Sequence, residues 1–232
     1  DIPVAQRIYF ENSNLNLFRK LFFLSPVILF LISLFGLMIT NELKVFSFKN
    51  RANLLIEKND GSILGHLPYE EISENKLVDI EPHIKVHIDM SESLLKMRED
   101  AEKDNVYLVF LSGYRSQKLQ KDIFYSLKSM RNQIAADRAR VSAPPGYSEH
   151  STGFAIDFGD ATKRETDFEV EFENTDAFRW LIKNAAKYHF RLSFTKNSKY
   201  VDYEPWHWRY EGSIEALKIF EPSNRRIRNY KN

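Results

Sequence analysis

The stretch Ser148-Glu149-His150-Ser151-Thr152-Gly153-Phe154-Ala155-Ile156-Asp157 frames the reading of the chain. From Gly153 through Phe158 it is apolar and β-prone except at Asp157, which reads as a short strand delivering a carboxylate near its end. Upstream, Ala143-Pro144-Pro145-Gly146 cannot continue a helix, because the prolines lack a backbone donor and Gly146 invites a turn. His150 therefore lies in a loop that enters the strand. Gly153 permits the sharp turn that would bring the His150 and Asp157 side chains to one metal ion.

Working outward, Asp89 and Glu92 fit an N-cap and a capping-box carboxylate, and Leu94, Leu95, Met97 and Ala101 supply the apolar face of a helix to about Lys103. Residues 106–111 suit a buried strand ending at Ser112-Gly113. Ser116 caps a helix through about Met130, with Leu119, Ile123, Phe124 and Leu127 on one side. Residues 175–188 carry Phe178, Leu181, Ile182, Ala185 and Ala186 at helical spacing. Short strands at 190–194 and 206–210 follow, then a helix at 213–220 and a basic, frayed tail from Asn224. The acidic residues 165–173 read as a solvated loop or edge strand, placed to frame a cleft. Strands interrupted by helices without regular alternation fit an α+β domain better than a doubly wound sheet.

With 232 residues, the chain can bury one sizeable core plus an appendage. Its 33 Lys+Arg against 32 Asp+Glu leave a formal charge of +1, which gives no general pull toward nucleic acid. With no cysteine there is no disulfide, thiolate metal site or thiol nucleophile, so His, Asp and Glu are the available strong ligands. Residues 21–39 are apolar except Ser25 and Ser33. At ~1.5 Å per residue, that run approaches the ~30 Å hydrocarbon core of a bilayer. It lacks a small-x-small cleavage site, so it reads as an uncleaved anchor, and Arg19 and Lys20 place the N-terminus in the cytoplasm. The expected organisation is a cytoplasmic segment 1–20, a transmembrane anchor 21–43, a stalk 44–63, a folded domain 64–222 outside the membrane, and a tail 223–232.

A second context is Glu204-Pro205-Trp206-His207-Trp208, where Pro205 excludes a helix interior and two tryptophans flank a histidine. A catalytic zinc takes about three protein ligands and one open position, and His150, Asp157 and His207 provide a mixed N/O set. Glu204 is then free to act as general base in metal-assisted hydrolysis. Taken singly, a His before a Gly is more often a capped loop residue, and Trp-His-Trp more often core packing.

Together with Ser112-Gly113-Tyr114-Arg115-Ser116, these segments resemble the VanY-type D-alanyl-D-alanine carboxypeptidases, whose motifs S-G-[YF]-R-S, S-x-H-x-x-G-x-A-x-D and E-x-W-H occur here in that order. The resemblance covers residues 64–212, and the loops around His150 and His207 are similar to the cyanobacterial branch. It implies a compact Hedgehog/DD-peptidase-like α+β fold, with His150, Asp157 and His207 as zinc ligands and Glu204 as base. It further implies that Arg115 contacts the substrate and stabilises the oxyanion, that Ser148 and Gln120 bind the terminal carboxylate and peptide backbone, and that Trp206 contacts substrate. The implied partners are peptidoglycan stem peptides ending in D-Ala-D-Ala, with no nucleic acid. Independently of the resemblance, the apolar run 21–39 and its flanking charges give the expected location as the outer face of a bacterial plasma membrane. The rival activities are an L,D-carboxypeptidase or endopeptidase on the same polymer, and a noncatalytic wall-binding anchor. His66, His83, His87 and His189 read as structural.

Overall fold

The computed structural model describes residues 61–198 and 200–229. The expected anchor at 21–39, the segment before it and the stalk up to residue 60 lie outside the described residues, among which no helix is long and apolar enough to cross a membrane. The described chain is mixed α+β, as expected. A two-stranded hairpin, β1 (Leu77–Glu81) and β2 (Ile84–His87), precedes helix α1 (Ile88–Lys103). Then come β3 (Leu108–Ser112), α2 (Gln117–Met130), the short α3 (Ala135–Ala139), β4 (Ala155–Asp160), α4 (Asp176–Asn184), β5 (Phe190–Leu192), β6 (His207–Tyr210) and α5 (Ile214–Asn229). Strands β3-β4-β6-β5 form one antiparallel sheet in that order.

The two inner strands are buried along their whole length, so their sequences read as continuous runs and not as alternating faces. Helix α1 covers the sheet with Met90, Leu94, Met97 and Ala101, all fully buried. Its cap differs from expectation: His87, not Asp89, occupies the N-cap, and His87 Nδ1 accepts from Asp89 N at 3.0 Å. The imidazole stacks on Phe154 at a 4.0 Å ring separation and supplies the acceptor that a hydroxyl or carboxylate usually provides.

Helix α2 is capped by Ser116, which accepts from Leu119 N at 3.1 Å, as expected. Its buried residues are Gln120 and Phe124, whereas Leu119 is exposed, because the helix turns Gln120, Ile123 and Leu127 toward a cleft and not toward the main core. The expected helix 175–188 is split. Thr175 caps α4, and the last turn tightens to a 3₁₀ segment, Ala185–Tyr188, that stops at His189 with φ +65°. Trp180 turns inward, with Nε1 donating to Asp104 at 2.7 Å, while Ile182 is exposed. Helix α5 runs past Phe220 and through Pro222 to Asn229. Arg209 of β6 ties it down by donating to Ser223 Oγ at 3.0 Å and Asn224 Oδ1 at 2.8 Å. The acidic stretch forms two 3₁₀ turns, Arg164–Thr166 and Val170–Asn174, anchored by buried Phe172.

Candidate active site

The pairing of β4 with β6 sets Asp157 directly opposite His207, so both side chains project from one face of the sheet. The 3₁₀ turn Glu149–Thr152 ends at Gly153 with φ +74°, and this left-handed closure swings His150 back over the same face. His150 Nε2 lies 3.2 Å from Asp157 Oδ2, and His207 Nδ1 lies 3.0 Å from Asp157 Oδ1. The three side chains are buried, and one ligand atom from each falls within 4.8 Å of the others. The tertiary structure thus assembles the expected triad.

Which lone pairs converge is decided by the outer hydrogen bonds. His150 Nδ1 donates to the Gly113 carbonyl at 2.7 Å, which leaves Nε2 as the acceptor facing Asp157. His207 Nε2 donates to Glu149 Oε2 at 3.0 Å, which leaves Nδ1 for the same centre. Burial pushes the His150 pKa down and keeps it neutral. Burial opposes ionisation of Asp157, but His150 and His207 hold its carboxyl well below the usual range. His207 is depressed by burial, yet Asp157 and Glu149 on its two sides raise it to about 10. A cation at the centre would replace that proton and bridge oxygen and nitrogen lone pairs that otherwise repel, so this donor set fits a divalent metal.

A second cluster, His87, Asp89 and Glu215, does not fit one. His87 Nδ1 already accepts from Asp89 N, so Nε2 carries the proton, and Lys76 Nζ sits 2.7 Å from both Glu215 oxygens. No imidazole lone pair is left to donate.

Arg115, Gln120, Ser148, Glu204 and Trp206 line, with the triad, a cleft of about 670 Å³. Burial pushes Glu204 up to about 8, with Asp157 and Glu149 adding to the rise against His207 and Arg115. Arg115 is braced: Nη2 donates to Ser112 Oγ at 2.8 Å, Nη1 donates to Gln120 Oε1 at 3.0 Å, and Asp157 Oδ2 is 3.7 Å away. Gln120 is fully engaged, because Nε2 donates to Ser142 Oγ at 3.2 Å and Ala143 O at 2.7 Å. It orients Arg115. Ser148 is buried in the cleft wall, and Trp206 packs edge-on to Phe168 at 6.3 Å. Phe168, Glu169 and Val170 of the acidic stretch line the cleft, as the sequence suggested.

Sequence reasoning missed Glu149 and Arg209. Glu149 is buried, accepting from His207, from Ser193 Oγ at 2.6 Å and from Arg209 Nη1 at 2.8 Å, and its carboxyl is held well below the usual range by Arg209 and His207 against the cost of burial. A signal was present: Arg209 follows His207 by two positions in a strand, so it shares the inward face, and a buried guanidinium demands a buried carboxylate. His66 and His87 are buried with backbone partners, His66 also lining the cleft, while His83 and His189 occupy left-handed positions outside the cleft lining.

The family model for VanY D-alanyl-D-alanine carboxypeptidase matches residues 83–213. YodJ of Bacillus subtilis is 35% identical over 145 residues, 60% of this chain and 51% of its own length. A D-alanyl-D-alanine carboxypeptidase of Enterococcus faecalis is 30% identical over 161 residues, 65% of this chain and 54% of its own length. The chain therefore spans about half the length of these curated relatives. Among solved structures, the LdcB LD-carboxypeptidase aligns with a TM-score of 0.55 at 29% identity, over 68% of this chain and 78% of that one. A VanY D,D-pentapeptidase in complex with Zn(II) aligns at 0.51 and 26%, over 66% and 89%. The fold resembles these peptidase domains, and the match over more than half its length makes this chain a member of the VanY D-alanyl-D-alanine carboxypeptidase family.

Proposed function

We propose that the chain is a zinc-dependent carboxypeptidase that removes the terminal D-Ala from peptidoglycan stem peptides. The observation that carries this reading is the convergence of His150 Nε2, Asp157 and His207 Nδ1 beside Glu204 and Arg115 in one cleft. Zinc held by these three ligands would supply Lewis acidity toward the scissile carbonyl and acidify the attacking water. Glu204 takes the proton of that water and returns it to the leaving amine. Its carboxyl suits both halves of the exchange, because burial brings its pKa near neutral pH. Arg115, fixed by Ser112 and Gln120, donates to the oxygen on which charge develops. Ser148 and Trp206 are substrate contacts on the cleft wall.

The VanYB structure in complex with D-alanine-D-alanine, 25% identical with a TM-score of 0.53, favours the D,D reading. The LdcB neighbour favours an L,D-carboxypeptidase as the second reading. A noncatalytic wall anchor would have no use for a carboxyl poised like Glu204. The apolar run 21–39, flanked by Arg19 and Lys20, supports a single-pass anchor in a bacterial plasma membrane with the cleft outside. Placement in the cyanobacterial branch rests on the loop motifs alone.

The test is incubation of the zinc-loaded full chain with defined muropeptides and mass spectrometry of the products. Pentapeptide shortened by one D-Ala supports the D,D reading, and tetrapeptide shortened by one residue supports the L,D reading. Zinc binding without cleavage of either would refute both.

A further inference from the structure

Phe168 combines two features that folding by itself disfavours. Its backbone sits at φ +59°, in the left-handed region where an aromatic side chain is strained, and its ring is 48% exposed. Asn105 and Asn132 also adopt positive φ, but asparagine tolerates that region through local hydrogen bonding that phenylalanine cannot offer. The conformation is imposed from both sides. Residues 167–169 link the 3₁₀ turns Arg164–Thr166 and Val170–Asn174. Asp167 N donates to Arg164 O at 3.2 Å, Glu169 N to Thr166 O at 3.1 Å and Phe172 N to Glu169 O at 3.1 Å, which fixes the link. Asp167 adds an ion pair with Arg164 at 2.6 Å, and Phe172 is fully buried. A strained residue that its surroundings over-determine points to a use for the side chain it displays.

That ring stands close to the triad. It lies edge-on to Trp206 with centroids 6.3 Å apart, and Trp206 is the chain neighbour of His207. Both rings line the cleft that holds the triad, together with Val170, itself 45% exposed. Phe168 and Val170 thus leave an apolar lip open to solvent on a cleft whose buried lining includes His150, Asp157 and His207. A carboxypeptidase substrate ends inside the site, so the part that passes the lip is the peptide upstream of the scissile bond. We propose that Phe168, backed by Val170, is a specificity-determining residue that seats an aliphatic side chain of that upstream peptide. The assignment rests on the carboxypeptidase reading and adds to it a preference for a long apolar stem over a methyl group at that place.

The test uses inert phosphinate analogues of D-Ala-D-Ala that carry one further residue at the amino end, either alanine or norleucine. Each is titrated calorimetrically into the zinc-loaded full chain. The wild type is expected to bind the norleucyl analogue about 5- to 20-fold more tightly, the range for three methylenes partly withdrawn from water. Phe168→Gly should abolish that preference and leave affinity for the alanyl analogue unchanged. It should not lower the melting temperature of the ligand-free protein, because glycine relieves the left-handed strain. Phe168→Tyr should retain the preference. Equal wild-type affinity for the two analogues, or binding of neither, would overturn the proposal. So would a Phe168→Gly protein that keeps the preference, or one that melts lower and binds both analogues more weakly by the same factor, which marks a packing role against Trp206. The phosphinates need no turnover, so absence of muropeptide cleavage would count against the proposed function and leave the Phe168 result readable.

Discussion

His207 Nε2 donates to the Glu149 carboxylate across 3.0 Å, and Arg209 holds the other oxygen of that carboxylate at 2.8 Å. The pair sets which imidazole nitrogen faces the candidate metal site. Removing the carboxylate by Glu149→Ala leaves a buried guanidinium and an unguided imidazole. The expected loss is about 3–5 kcal/mol of stability and about 10–100-fold in zinc affinity. Glu149→Gln keeps an acceptor for His207 and should lose less metal affinity than stability. Denaturant melts and competition with a chelator separate the two. Unchanged zinc affinity in Glu149→Ala would refute the orienting role.

Glu204 and the proposed zinc ligands should be separable. Glu204→Gln is expected to reduce turnover by about 10²–10⁴-fold with metal content intact. Full activity in that variant would remove Glu204 as the base.

The same residue predicts a pH dependence of stability. Its carboxyl titrates near 4.5 when unfolded and at about 8 in the metal-free fold. Between those values the folded state binds more protons, so this group destabilises progressively as pH rises from about 4.5 to 8. Metal-free Glu204→Gln should therefore be more stable than wild type at pH 8.5, by on the order of 1–3 kcal/mol. The difference should fade toward zero at pH 5. Urea denaturation at the two pH values measures it, and a gain of the same size at both would contradict the assignment.

Arg115 should act on rate alone. Arg115→Ala is expected to cost about 10²–10³-fold in turnover while zinc stays bound, whereas His150→Ala should lower metal affinity and rate together. Equal zinc loss in both variants would contradict these separate roles.

Gly113 couples the sheet to the candidate metal site. A Cβ there would run into the Lys85 carbonyl oxygen, which itself accepts from Tyr114 N at 2.7 Å. Gly113→Ala should cost about 1–3 kcal/mol and weaken zinc binding, because the Gly113 carbonyl fixes His150. A stable variant with wild-type zinc affinity would show that the strand end can shift freely.

Local chemistry settled much of this protein in the sequence alone. The absence of cysteine confined any metal site to His, Asp and Glu, the two prolines before Gly146 forced a loop ahead of His150, and Ser116 marked its helix start. Each of these depends on a residue and its near neighbours. Helix ends were less legible wherever a distant group decided them: His87 caps α1 with Phe154 stacked on it, and α5 continues past Pro222 because Arg209 reaches Ser223 and Asn224.

The tertiary structure alone decided which side chains meet. Strand register sets Asp157 against His207, Gln120 reaches Ser142 and Ala143 far along the chain, and Glu149 becomes His207's partner only when β4 and β6 pair. Sequence records which groups are present and how the chain bends between them. Burial and pairing across long separations, which set protonation and tautomer, exist only once the sheet is closed.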